Sequence, residues 1–387
     1  MDKRKLYILA ILYVAFIALG LPDQLLGIAW PTMRAEFNKP LDAAGLSAFL
    51  VTIFTSLSGY LNGYIAAKFS VQKILSVSVF LTVIGLFGYA ISPNWLIFLL
   101  FAIPTGLGAG SVDSVLNNFV SKNYASRHMS WLHAFWGIGS TVGPLIMTGV
   151  FAVGMGWRAG YAIVSGILFL MTILFIASKN LWTDSKEEEQ NKKKEFKNIS
   201  SLNTFLSASF FFIYTSTEGG IGLWIYSVMT EARGIEPILA GTLVAIYWGS
   251  LTVGRIIIGF VTKKFSDKTI IMTSLLIVLS AMLMLCNPSK ITTILGLILA
   301  GMGLSGIYPC TMNDTHRRYE EVTADILTGH QVGAASLGFG LITPLLGFVI
   351  QRIGLNFLPV ILLFFVLYMI IIESRLRKLD NGKYQEI

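Results

Sequence analysis

Blocks of apolar residues follow one another along this chain with only short polar breaks between them. Most are close to the ~20 residues that a helix rising about 1.5 Å per residue needs to cross a bilayer. The pattern predicts twelve membrane-spanning helices, at 6–30, 44–66, 74–91, 95–120, 129–153 and 160–177, then 202–229, 239–261, 269–285, 291–312, 324–350 and 357–372. The long polar interval falls between the sixth and seventh. It holds Lys186, Glu187, Glu188, Glu189 and the run 192–194, and its charge without apolar periodicity predicts a solvated linker. The expected organisation is an all-α membrane protein: a six-helix bundle over 1–181, a cytoplasmic linker at 182–200 and a second six-helix bundle over 201–387.

The halves repeat each other. At an offset of 195, Gly106, Gly108, Asn118 and Tyr124 fall on Gly301, Gly303, Asn313 and Tyr319; at 196, Gly63, Phe69 and Ser70 fall on Gly259, Phe265 and Ser266. A duplicated six-helix unit accounts for two separate stretches agreeing to within one residue. Parallel repeats of this kind place a site between them near mid-membrane.

Composition sharpens this picture. With 54% hydrophobic and 13% charged residues among 387, the chain belongs in a bilayer, and its net charge of +8 calls for no nucleic acid. Of the 29 lysines and arginines, only Arg34, Lys39, Arg158, Arg233, Lys290 and Arg352 fall in the loops opposite the termini, and Arg255 lies within a span. The remainder sit on the side of the termini, so the positive-inside rule predicts a multi-pass protein of the cell membrane with both termini cytoplasmic. Lys3-Arg4-Lys5 before an apolar run mimics a signal peptide, and the spans that follow make it an uncleaved anchor. Cys286 and Cys310 lie in apolar spans without metal-binding spacing, the four histidines show no such spacing either, and no nucleophile–base set is visible. No enzyme and no cofactor is expected beyond a coupling ion, a proton or sodium. A small-molecule substrate and the lipid bilayer are the expected partners, and the chain is expected to be a monomer.

The candidate chemistry lies in the few polar residues inside the spans, which are functional by default. In the fourth span Gly106, Gly110, Asp113 and Asn117 share one helical face. In the first, Phe16, Gly20, Asp23, Gly27 and Trp30 do so, with Pro22 loosening the helix and Gln24 beside the acid. The seventh holds Tyr214 and Glu218 one turn apart, and Glu218 is the repeat mate of Asp23. Asp23, Asp113 and Glu218 are the expected proton-coupling acids. The fifth span offers His133 and Trp136, the tenth places Tyr308 where the first half has Asp113, and the eleventh brings Gln331 near the repeat position of His133. Rings beside acids and amides suit a sugar, whose C–H face stacks while its hydroxyls bond. The expected substrate-binding set is therefore Asp23, Gln24, Trp30, Asn117, His133, Trp136, Tyr214, Glu218, Trp224, Tyr308 and Gln331. His133 is equally read as a structural hydrogen bonder, and Arg255 as a structural cation at the cytoplasmic end of the eighth span.

The loop 63–73, GYIAAKFSVQK, resembles the signature between the second and third helices of the major facilitator superfamily, with Ala67 where that signature has an acid and Ser70 where it has a second glycine. The copy at 259–268, after Gly254-Arg255, keeps Lys263, Lys264 and Asp267, and Gly156-Trp157-Arg158 is also superfamily-like. The resemblance implies gating or structural roles for Gly63, Lys68, Gly259, Arg255 and Asp267, and transport by alternating access. Within the superfamily, DSVLNNF at 113–119 and YTSTEGGIGLW at 214–224 are similar to the fucose permease-like sugar:proton symporters and their sodium–glucose relatives. That likeness implies that Asp23 and Asp113 handle protons or sugar hydroxyls. A drug or metabolite:proton antiporter is the alternative, because Gly139-x3-Gly143-Pro144 half-matches the antiporters' fifth-helix glycine series.

Overall fold

The computed structural model describes residues 3–66, 68–124, 126–182, 201–262, 264–319 and 321–380, so the expected linker lies almost wholly outside them. The described residues form helices and no strand. In chain order these are α1 (Lys3–Gly20), α2 (Leu25–Phe37), α3 (Ala43–Ala66), α4 (Val71–Ile91), α5 (Trp95–Leu100), α6 (Ala102–Asn123), α7 (Ser126–Ala152) and α8 (Trp157–Ala177). There follow α9 (Ser201–Ser227), α10 (Pro237–Val261), α11 (Asp267–Cys286), α12 (Lys290–Arg318), α13 (Glu321–Leu337), α14 (Thr343–Ile353) and α15 (Leu358–Asp380). Eleven helical segments among the described residues are long and apolar enough to cross a membrane. The polar run Tyr214–Glu218 lowers the hydropathy of α9, yet its 27 residues also suffice in length.

The first span differs from expectation. Pro22 has no N–H to donate, and the helix stops at Gly20 and restarts at Leu25. Trp30 thereby leaves the face that Phe16, Gly20 and Asp23 would have shared on one continuous helix. The eleventh span is likewise divided, by a π-helical turn over Gly338–Ile342 between α13 and α14.

By its internal contacts the chain separates into two compact units, Met1–Glu189 with Glu236–Gly249, and Gln190–Ile235 with Ser250–Ile387. In the first, α1 packs on α7, α3 on α6, and α4 on both α6 and α8. Glycine makes the closest of these approaches. A Cβ at Gly139 would strike the Ile17 carbonyl oxygen, one at Gly143 that of Leu21, and one at Gly110 that of Thr55. Small residues let helix backbones meet where lipid supplies no hydrophobic drive. The glycine series of the fifth span is thus the floor on which α1 lies. Gly139→Ala is expected to cost about 1–3 kcal/mol by overpacking, read as a lower thermal unfolding midpoint in detergent. Gly149→Ala, on the same helix with no atom near its Cβ, should leave the midpoint in place.

In the second unit α11 packs on α12, and α9 on α13 and α15. Gly338, the repeat mate of Gly143, meets the Phe212 backbone of α9, so both halves seat their first helix on a glycine of their fifth. The repeat also shows in the caps. Ser70 accepts from the Lys73 N–H to start α4, and Ser266 from the Thr269 N–H to start α11.

Candidate functional site

In the first unit the break between α1 and α2 leaves Asp23 exposed while Gln24 beside it is buried. The indole Nε1 of Trp136 donates to Asp23 Oδ2 at 2.8 Å. The glycine floor sets this contact, since a side chain at Gly20 would strike the Trp136 backbone. Asp113 is exposed on α6 and accepts from Asn117 Nδ2 at 2.9 Å. The two carboxylates lie within electrostatic range of each other. Aromatic rings border the acids. Trp136 meets Trp248 edge-on at 5.6 Å, and His133 meets Phe16 at 5.7 Å, also edge-on. These contacts join Asp23 to two indoles and Asp113 to an amide.

The second unit answers with a different arrangement. Glu218 is buried on the unbroken α9 and pairs with Arg255 Nη2 at 3.5 Å. The Tyr214 hydroxyl donates to the Leu304 carbonyl at 3.3 Å and lies within reach of both Glu218 and Arg255. Tyr308 stacks obliquely on Tyr214 at 5.9 Å and edge-on to Phe211 at 5.2 Å. Arg255, read from the sequence as a cation at the end of its span, is the counter-ion of the acid that mirrors Asp23.

Three candidates lie apart from these groups. Trp30 is fully buried, its Nε1 donating to the Leu41 carbonyl at 2.7 Å and its ring tilted against Trp95. Trp224 is fully buried over Gly347 and donates to the Thr343 carbonyl at 2.7 Å. Gln331, the repeat mate of Trp136, bonds Ser207 at 2.6 Å and Thr315 at 2.9 Å instead of an acid. All three tie helices together.

Of the gating candidates, Lys68 is exposed, and the surroundings of Gly63 lie outside the described residues. Gly259 has no atom near a would-be Cβ. Asp267 is buried and pairs with Arg317 at 3.1 Å. Close by, Arg318 pairs with Asp314 and Glu373, and Arg377 bonds Glu373 and the Lys268 carbonyl. This network clamps α11, α12 and α15. The Gly156-Trp157-Arg158 motif does similar work in the first unit: Trp157 and Arg158 both bond Glu36, and Arg158 also holds the Ser92 carbonyl.

Sequence reasoning missed Trp248 and the Glu218–Arg255 pair. The pair had a signal, two opposite charges inside neighbouring spans, each too costly to bury alone.

The chain is 23% identical over 363 residues to the glucose/mannose transporter GlcP of Bacillus subtilis (strain 168), covering 88% of this chain and 87% of that one. It is also 23% identical over 280 residues to a cis,cis-muconate transport protein of Acinetobacter baylyi, covering 66% of each. Among solved structures, a bacterial homolog of the human lysosomal transporter Spinster, inward-facing and occupied, superposes with a TM-score of 0.77 at 14% identity, over 99% of this chain and 98% of that one. A D-xylose–proton symporter superposes with a TM-score of 0.75 at 13% identity, over 95% and 96%. The Major Facilitator Superfamily model itself matches residues 12–324, and with a match over most of its length this chain belongs to that superfamily of transporters.

Proposed function

We propose that the protein is a secondary active transporter that carries a sugar or similar small polar solute together with protons, exposing its site to one side of the membrane at a time. One observation carries this reading: two exposed carboxylates, Asp23 and Asp113, lie within electrostatic range of each other, one bonded to an indole and the other to an amide. Carboxylates in that setting bind and release protons, and with the amide and rings they also fit a polyhydroxylated ligand. Similarity to a glucose/mannose transporter supports the same substrate class. The antiporter alternative rested on the glycine series, which packs against α1. The protein works in the cell membrane as a monomer with both termini cytoplasmic.

The test is uptake into proteoliposomes. An inside-alkaline pH gradient should concentrate a labelled monosaccharide several-fold, and a protonophore should abolish the accumulation. Expulsion of solute under the same gradient would replace symport by antiport.

A further inference from the structure

The segment Glu236–Gly249, which carries the start of α10, belongs by its contacts to the unit that holds α1 and α7. It lies antiparallel along α7: Gly241 stands against Thr148, Gly249 against Thr141 and Trp248 against Trp136. Gly241 and Trp248 are seven residues apart and so share one face of α10. Trp136 is thereby held at three points. A side chain at Gly20 would strike its carbonyl oxygen, its Nε1 donates to Asp23 at 2.8 Å, and its ring meets Trp248 edge-on at 5.6 Å. Trp248 is 1% exposed and is braced in turn by Tyr247, edge-on at 5.0 Å.

Asp23, by contrast, is exposed. Water competes for an exposed carboxylate, so a single hydrogen bond there gains little unless its donor is already in place. The close approach at Gly20 fixes where the Trp136 side chain starts, not which way its ring turns. The buried Trp248 ring is a rigid contact that sets that plane. We propose that Trp248 is a positioning residue for Asp23: it acts through Trp136, keeping that indole N–H on Oδ2 while α10 lies along α7. The proposal rests on Asp23 as a working carboxylate of the transport cycle and deepens it by naming what orients its donor. Packing alone is the competing account, since edge-on rings stabilise any core. Asp113 on α6 lies within electrostatic range of Asp23, and His133 stands about one turn before Trp136 on α7, against Phe16. Trp248→Leu adds and removes no charge among them.

The experiment labels the full-length protein isotopically at its indole nitrogens and identifies the Trp136 resonance, in detergent, by its loss in Trp136→Phe. Asp23→Ala removes the acceptor and should move that resonance. Trp248→Leu should move it the same way, and Trp248→Phe, which restores a ring, should return it most of the way. Monosaccharide uptake into proteoliposomes is then measured across pH. Trp248→Leu should displace the profile by about half a pH unit or more. Trp136→Phe should do the same, and the double variant should go no further than either alone. Trp248→Met takes the place of the leucine variant should that one not fold. The proposal is overturned if the Trp136 resonance of Trp248→Leu stays at its wild-type position, if uptake keeps its wild-type profile, or if the two substitutions add. The resonance needs no transport, so a protein that moves its solute without protons would end the symport reading and leave this test standing.

Discussion

An Asp113→Asn protein is expected to exchange external for internal solute at close to the wild-type rate, yet to concentrate none of it when a pH gradient is imposed. Asparagine copies the shape of a protonated aspartate and keeps a hydrogen-bonding oxygen for Asn117, whose amide now bonds the carboxylate at 2.9 Å. The binding patch therefore stays assembled, while the group that takes up and gives back a proton in each cycle is gone. Accumulation should fall to the equilibrated level, a complete loss of the driven component. Counterflow and gradient-driven uptake in the same proteoliposomes make the comparison. If both fall together, Asp113 holds solute hydroxyls rather than the proton; if the variant still accumulates, the proton rides elsewhere, with Asp23 the next carboxylate to change.

The second large effect is expected in the other unit, at Glu218 and Arg255. Arg255→Ala strands a buried carboxylate beside the buried Tyr214 ring. Breaking a buried pair from one side costs about 3–5 kcal/mol, whereas replacing both members by neutral residues of similar volume is far milder. Arg255→Ala should unfold at a markedly lower temperature, and Glu218→Gln/Arg255→Met should recover most of the loss. A double variant no more stable than Arg255→Ala would mean that the guanidinium works through other neighbours. The pairing also separates the roles of the two repeat mates. Glu218 faces a guanidinium, whereas Asp23 accepts a hydrogen bond from an indole.

Much of this was legible in the chain because bilayer physics is severe. Span lengths, the repeat and the intramembrane acids all follow from what hydrocarbon tolerates, and the helices of the structure cover each expected span. What stayed hidden depends on rotation and on partners across the helix bundle. Trp30 could be placed on the face of Asp23 only while the first span was taken as one helix; the break at Pro22 turned it into the outer packing with Trp95. Trp224 and Gln331 carry the same residue types as a sugar site, and only their contacts with Thr343 and with Ser207 and Thr315 reveal them as ties between helices. Gly139 and Gly143 resembled part of a transport signature, and the carbonyls pressed against them supply a purely steric reason for both.

The broken first helix has a consequence for how the protein is made. With 18 residues, α1 rises about 27 Å, and α2 with 13 residues about 20 Å. Neither piece reaches across the ~30 Å of hydrocarbon alone, so the two must enter the bilayer together as one continuous insertion unit. The surface that holds the break open belongs to α7, which the ribosome delivers about a hundred residues later. Until α7 is made, Asp23 lacks the Trp136 indole that it bonds in the folded protein.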